Sequence, residues 1–149
     1  MINKKNDEIH DLLKQDFRKK IILIEMKIHQ ARQIRMENKV QRYFNSTPIR
    51  NAFARWMAYA FYEKEYYSIT YLVKEMSTNR QTISNMISDC EAEGFIKVIR
   101  SGTTVTCQAS DLLMDKVEDY CNFRKELTKY TIGNSYKALI EFEKKNFFK

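Results

Sequence analysis

The architecture of this chain is set by residues 67–94, which read YSITYLVKEMSTNRQTISNMISDCEAEG. The apolar spacing predicts a first short helix over residues 67–76 and a second helix over residues 80–93. Between them, Ser77-Thr78-Asn79 is rich in turn-forming side chains. The stretch therefore predicts two helices joined by a tight turn.

Local signals mark both ends of the second helix. Thr78 and Gln81 have the spacing of a capping box, in which the Thr oxygen accepts from the backbone N–H three residues on and Gln reaches back to the cap. Gly94 supplies the left-handed residue with which many helices end. We therefore predict that Thr78 caps this helix and that Gly94 stops it.

Two strands are predicted directly after the second helix. Residues 95–100 and 103–109 are β-branched and partly alternating, and Ser101-Gly102 between them is a two-residue hairpin signal. Helix, turn, helix and hairpin predict a winged helix. The expected fold class is mainly α, with a small β-hairpin wing.

Amphipathic segments flank the motif on both sides. Apolar residues recur at steps of three and four from Ile9 to Ala31, and no Gly or Pro interrupts residues 1–45. Residues 1–45 therefore predict one long N-terminal helix of about 30 residues. Thr47-Pro48 predicts the cap and first position of the next helix. Ser110 is the expected cap of a C-terminal region, residues 110–149, that breaks at residues 131–134.

The flanking helices carry more apolar surface than a single small domain can easily cover. We therefore expect one domain over residues 1–149, in which the N- and C-terminal helices form the interface of a homodimer. The last helix is expected to run from Ser135 to Asn146.

Composition excludes several protein classes. With 149 residues, 44% of them hydrophobic, and only three Gly and one Pro, the chain has the make-up of a globular protein. No apolar run approaches the roughly 20 residues of a membrane span. Acidic residues follow the first lysines where a secretory signal would be apolar, so a cytoplasmic location is expected by default. The three cysteines lack CxxC spacing, which favours reduced thiols over a disulfide or zinc site.

Charge is unevenly placed along the chain. The formal net charge is +7, and residues 1–42 hold 11 Lys or Arg against 6 Asp or Glu, whereas residues 67–94 hold 2 against 4. An excess of positive charge attracts a nucleic-acid backbone, but it also fits the solvated face of a long helix. Phosphate attraction would have to come from outside residues 67–94.

The second helix of the motif is expected to have two distinct sides. Its apolar side comprises Ile83, Met86, Ile87 and Cys90. The opposite side comprises Gln81, Asn85 and Ser88. Gln and Asn each present a donor beside an acceptor, which matches the N6/N7 edge of adenine in the major groove. Arg80, at the helix start, could reach guanine or a phosphate.

The candidate contacts to double-stranded DNA lie on three segments. They are Thr78, Asn79, Arg80, Gln81, Thr82, Ser84, Asn85 and Ser88 on the motif, Lys97, Arg100, Ser101 and Thr103 on the wing, and Arg50 and Arg55 on the helix after Pro48. An exposed polar helix face can also simply be hydrated, without any macromolecular partner. The alternative is a winged-helix module for protein–protein interaction that does not bind DNA.

Residues 77–87 and 91–96, with the order of elements around them, resemble the MarR family of winged-helix transcriptional regulators. The resemblance implies that the second helix enters the major groove and that a homodimer binds a pseudo-palindromic site. The wing departs from the family: it turns in two residues and lacks the Asp-x-Arg that is common there.

Members of the MarR family often bind a small aromatic effector between the dimer helices and the winged helix. The residues that could line such a pocket are Met57, Tyr59, Tyr62, Tyr66 and Tyr67. Core packing explains these residues equally well, so no effector is predicted.

No constellation for catalysis is evident. His10 and His29 are the only histidines, and neither has a Cys or carboxylate at ligand spacing. A phosphate loop, a nucleophile elbow and an HExxH motif are all absent from the sequence. We therefore expect neither an enzyme nor a bound metal or cofactor.

Overall fold

The computed structural model describes residues 3–34 and 38–148. They belong to two compact units: residues up to 33 with residues from 121 onward form the helical unit, and residues 34–120 form the winged-helix unit. The elements in chain order are α1 (Lys4–Ile34), α2 (Lys39–Phe44), α3 (Pro48–Glu63), β1 (Tyr67–Ser68), α4 (Ile69–Glu75), α5 (Arg80–Ala92), β2 (Ile96–Ser101), β3 (Thr104–Ala109), α6 (Asp111–Leu127), a π-helical turn (Thr128–Ile132) and α7 (Gly133–Asn146). The mainly α winged-helix fold is confirmed.

The long N-terminal helix is confirmed, since α1 has 31 residues, but it does not extend to residue 45. A single helix over residues 1–45 is wrong, because a separate helix, α2, begins at Lys39. Asn38 is its extended N-cap, and the Asn38 side chain accepts from the backbone N–H groups of Val40 and Gln41. Asn favours this capping role over a helix interior, where its side chain competes for the backbone.

The next helix begins as predicted. The Thr47 side chain accepts from the backbone N–H of Arg50, and Pro48 occupies the first turn of α3. Lys64, in the left-handed region at φ 58°, ends the helix. The prediction of a Thr-Pro start is confirmed.

The helix-turn-helix is present, but its capping residue lies one position later than predicted. Asn79, not Thr78, is the N-cap of α5, and its side chain accepts from the backbone N–H of Thr82 at 2.8 Å. The backbone N–H of Thr78 instead donates to the carbonyl of Val73 and so closes the end of α4. The backbone of Thr78 thus belongs to the end of α4, and Asn79 is the residue that caps the next helix.

Two glycines, one before the wing and one in its turn, have positive φ. Gly94 (φ +75°) follows α5, as predicted, and Gly102 (φ +61°) lies in the hairpin. The predicted hairpin turn is wrong by one residue: Ser101 pairs with Thr104, so the two turn residues are Gly102 and Thr103. A positive φ at the first turn position favours glycine there.

The sheet has a third strand that the sequence did not reveal. The short β1 pairs antiparallel with β3, with Tyr67 opposite Cys107, and the strand order is β1-β3-β2. A two-residue strand is too short to show an alternating pattern. It attaches the start of the helix-turn-helix to the wing.

The winged-helix unit has one hydrophobic core. Its largest fully buried side chains are Phe53, Met57, Leu72, Ile83, Cys90 and Cys107. Burial raises the pKa of both the Cys90 and the Cys107 thiol to about 12, so each stays protonated near neutral pH. Cys121 is exposed, and all three thiols are free.

In the helical unit, α1 and α7 pack antiparallel. His10 contacts Glu143 at 2.9 Å, Asn6 donates to Asn146, and the Ser135 hydroxyl donates to Asp16. The predicted interruption before the last helix is present, but it lies at Thr128–Ile132 rather than at residues 131–134, and it is a π-helical turn that joins α6 to α7. Gly133 is helical at φ −51° and is the first residue of α7.

Within residues 3–34 and 38–148, no helix combines the length and apolar character that crossing a bilayer requires. The same residues contain no group of three or more His, Cys, Asp or Glu side chains placed to hold a metal ion.

Leu72→Ala should destabilise the winged-helix unit, because the Leu72 side chain, on α4, is fully buried in the hydrophobic core. We expect a loss of about 2–5 kcal/mol in the free energy of unfolding, measured by urea denaturation. The matched control is Leu112→Ala, where the side chain is 47% exposed and the expected loss is below about 1 kcal/mol. Equal losses at the two positions would contradict this description of the core.

Candidate nucleic-acid interface

The two sides of α5 are those that the sequence predicted. Its aliphatic side packs into the core through Ile83, Met86, Ile87 and Cys90, each at most 4% exposed. Gln81, Asn85 and Ser88 are exposed on the opposite side. The helix therefore has one orientation, and it presents amides and a hydroxyl to solvent.

The two outward amides are not independent. Gln81 Nε2 donates to Asn85 Oδ1 at 2.8 Å along one face of α5. One donor of Gln81 and one lone pair of Asn85 satisfy each other, which leaves the Gln81 carbonyl and the Asn85 amino group for a partner. This spacing of four residues is favourable on a helix surface.

Arg80 is held by the other helix of the motif. Its Nη1 donates to Thr70 Oγ1, on α4, at 3.2 Å, and both side chains are exposed. Within the described ranges, Arg80 has no carboxylate at ion-pair distance. Its charge therefore remains unpaired.

Arg100, on the wing, is already paired. Its Nη1 and Nη2 donate to the two carboxylate oxygens of Glu91, on α5, both at 2.6 Å. The hydrogen bonds from Arg100 lower the pKa of the Glu91 carboxyl below its ordinary value. This pair of hydrogen bonds joins the wing to α5 and neutralises the charge of Arg100.

Arg50 is also engaged within the protein. Its Nη1 donates to Ser46 Oγ at 2.9 Å, and its guanidinium lies 4.5 Å from the centre of the Tyr43 ring. The Tyr43 hydroxyl in turn donates to Asp89 on α5 at 3.0 Å. Burial, more than any charge, raises the pKa of Tyr43 above its ordinary value, so this hydroxyl remains a donor. The contacts join α2 and α3 to the C-terminal half of α5.

The remaining candidates differ in exposure. Exposed residues are Asn79, Lys97, Ser101, Thr103 and Arg55, and partly buried ones are Thr78, Thr82 and Ser84. Asn79 uses its side chain as the α5 cap, and Lys97 Nζ lies 5.6 Å from the centre of the Phe61 ring. Arg55 has no ion pair within the described ranges. The structure therefore brings the motif and wing candidates together around α5, with only part of their cationic charge unpaired.

The whole charge excess lies outside the winged-helix unit. Residues 34–120 carry 11 Lys or Arg and 11 Asp or Glu, whereas the rest of the chain carries 15 and 8. Long-range attraction to a polyanion would thus come from the helical unit, and the winged-helix unit would contribute short-range contacts.

The five residues considered for an effector pocket have different surroundings. Met57 and Tyr67 lie in the hydrophobic core, whereas Tyr59 and Tyr62 are exposed and Tyr66 is partly buried. Core packing therefore accounts for Met57 and Tyr67.

Sequence reasoning missed three partners of the site: Thr70, Glu91 and Tyr43. Each acts through a contact with a residue on another element, at separations of 9 to 46 positions. Only the opposite charges of Glu91 and Arg100 offered a signal, since β2 directly follows α5 in the chain.

Comparisons with known proteins reveal only distant similarity. No protein-family model matches the chain, and no curated protein matches it. An ArsR family transcriptional regulator is similar at 19% sequence identity and a TM-score of 0.39, and the match covers 57% of this chain and 82% of that one. NolR from Sinorhizobium fredii is 11% identical with a TM-score of 0.39, over 83% of this chain and 94% of its own. The transcriptional regulator BldR from Sulfolobus solfataricus is 14% identical with a TM-score of 0.43, over 97% of this chain and 99% of its own. At these identities and TM-scores, the similarities do not determine the function of the chain.

The pKa of Glu91 offers a direct check on the ion pair between the wing and α5. NMR titration of the Glu91 carboxyl should give a pKa below 4.5, the ordinary value, and Arg100→Gln should return it towards that value. A depressed pKa stabilises the fold above the unfolded-state pKa, and this contribution is lost as the pH falls through the folded-state pKa. A Glu91 pKa that does not respond to Arg100→Gln would contradict the ion pair.

Proposed function

We propose that the protein is a transcriptional regulator that binds double-stranded DNA sequence-specifically as a homodimer, with α5 in the major groove. One observation carries the proposal: α5 buries its aliphatic side at 0–4% exposure and presents Gln81, Asn85 and Ser88 outward. These are the side chains whose donors and acceptors match base edges. The helix follows a tight turn and is flanked by a hairpin, the arrangement in which such helices dock.

The roles of the polar residues differ in this proposal. Gln81, Asn85 and Ser88 read bases, whereas Thr78, Asn79, Thr82, Ser84, Ser101 and Thr103 contact bases or the sugar–phosphate backbone at the edges of the interface. Among the cations, Arg80, Arg55 and Lys97 supply phosphate or base contacts. Arg50 and Arg100 contribute once their internal partners release them.

The homodimer would be formed by the helical unit, in an arrangement like that of MarR-like regulators. Besides the face that packs on α7, α1 exposes Leu12, Ile22 and Met26, which are 66%, 61% and 54% accessible. These side chains fall within one arc of the helix. A second copy of the helical unit is the partner we propose for them. A cytoplasmic location without a required effector completes the proposal.

The second candidate is a winged-helix module for protein–protein interaction. Equal numbers of acidic and basic residues in the winged-helix unit favour it, as do Asp89, Glu91 and Glu93 at the C-terminal end of α5. Acidic side chains repel phosphate, so a protein partner would suit this half of the helix better.

Fluorescence anisotropy with a random pool of labelled duplexes separates the two functions. For a DNA-binding regulator, affinity should fall linearly with the logarithm of salt concentration, and repeated selection should enrich one sequence. A two-fold symmetric site would support the homodimer. No binding at low salt, or no enriched sequence, would favour the interaction module.

Asn85→Ala should weaken discrimination between bases. Because the amide is lost, the preference for the selected duplex over single-base variants should fall by roughly tenfold at one position of each half-site. Asn122→Ala removes the same group from the exposed surface of α6 and should leave the preference unchanged. An equal loss of affinity for all sequences would contradict base reading by Asn85.

Glu91→Gln should strengthen binding to every duplex alike, because it releases Arg100 to contact phosphate. We expect the slope of log affinity against log salt to steepen by about one unit, the contribution of one further phosphate contact. Glu93→Gln makes the same charge change beside α5 without an ion partner in the described residues. If the two variants gave equal slopes, Arg100 would have no phosphate role.

A further inference from the structure

Arg80 differs from Arg100, the arginine of the wing, in the chemistry of its partner. Arg100 donates both terminal nitrogens to a carboxylate, which cancels its charge and occupies its fork. Arg80 donates one terminal nitrogen to the neutral hydroxyl of Thr70. A neutral acceptor fixes the direction of a guanidinium without neutralising it.

The contact leaves a complete binding edge on Arg80. A guanidinium has five N–H donors, and the hydrogen bond to Thr70 uses one of the Nη1 donors. The Nη2 and Nε donors remain, and in the described chain no carboxylate pairs with them. Two parallel donors of this kind match two acceptors on one ligand, such as O6 and N7 of guanine.

The position of the pair suits a base contact. Arg80 is the first residue of α5, and the N-terminal residues of such a helix contact base edges when it docks in the major groove. Thr70 lies on α4 and therefore contacts Arg80 from the neighbouring helix, outside the reading face. Gln81 and Asn85, the amides on that face, follow Arg80 along α5.

We propose that Thr70 is a positioning residue that holds Arg80 ready for bidentate recognition of a guanine in each half-site. This inference rests on the proposed function, because it requires α5 to enter the major groove. An exposed arginine that is already oriented loses less conformational freedom on binding than a free one. Thr70 thereby contributes to sequence preference without contacting a base.

The test uses the full-length protein and the duplex that it selects from a random pool. Arg80→Ala should reduce affinity for this duplex by about tenfold or more, and Thr70→Val by about threefold to tenfold. Val keeps the shape of Thr but lacks the oxygen acceptor. Thr70→Ser restores the acceptor and should recover most of the affinity. In an Arg80→Ala background, Thr70→Val should have no further effect.

Modified bases identify the ligand atoms. Replacing the contacted guanine by 7-deazaguanine removes the N7 acceptor but keeps O6, so the bidentate contact is lost and the effect of Thr70→Val should become smaller. Inosine keeps O6 and N7 and loses only the minor-groove amino group, so the effect should persist. Unchanged melting temperatures of the variants would confirm that they fold.

The outcomes separate the two proposals. If wild-type protein enriches no duplex, the proposed function fails and this inference fails with it. If it enriches a duplex but Thr70→Val binds like wild type, or Thr70→Ser binds as weakly as Thr70→Val, the positioning role alone is wrong. If Thr70→Val weakens all duplexes equally and is insensitive to 7-deazaguanine, Arg80 contacts phosphate and guanine recognition is wrong.

Discussion

Burial of the aliphatic side of α5 is the constraint on which the interface depends. Ile83 and Cys90 are inaccessible to solvent, and Met86 and Ile87 nearly so. Rotating the helix would expose these side chains at a cost of about 1.5–3 kcal/mol each, as well as leaving cavities. The orientation of Gln81, Asn85 and Ser88 is therefore a consequence of core packing, and it requires no partner.

Electrostatics act differently in the two units. The winged-helix unit has no net charge, and three of its arginines have internal partners. Arg100 is neutralised by Glu91, whereas Arg50 contacts Ser46 and the Tyr43 ring and Arg80 contacts Thr70. Because its net charge is zero, contacts of the winged-helix unit with a polyanion would depend on the geometry of individual hydrogen bonds more than on electrostatic attraction. The helical unit carries the excess positive charge and would supply the long-range attraction that brings a polyanion near. A regulator built this way would have modest non-specific affinity and would depend on base contacts for selectivity.

Much of this fold could be predicted because its signals are local. The spacing of Ile83, Met86, Ile87 and Cys90 identified α5 and its exposed side, and Thr47-Pro48 marked the start of α3 correctly. The errors arose where two local signals competed. Thr78 and Asn79 are both good caps, and the choice between them depends on how α4 ends.

Other features could not be predicted because they depend on contacts distant in sequence. The pairing of β1 with β3 joins Tyr67 to Cys107, and a two-residue strand has no periodicity of its own. Residues 1–45 contain no Gly or Pro that would indicate where a helix ends, so the cap at Asn38 was missed. The partners of Arg80 and Arg50 are hydroxyl groups, which are too common in a sequence to be recognised as contacts in advance.

The central claim is that the exposed polar face of α5 is the surface that meets DNA. The most direct test follows the side-chain amide NMR signals of Gln81 and Asn85 while the selected duplex is added. We predict that both signals shift strongly and that the methyl signals of Ile83 and Ile87, on the buried side, shift little. Amide signals that stay in place while residues on another surface respond would contradict the claim.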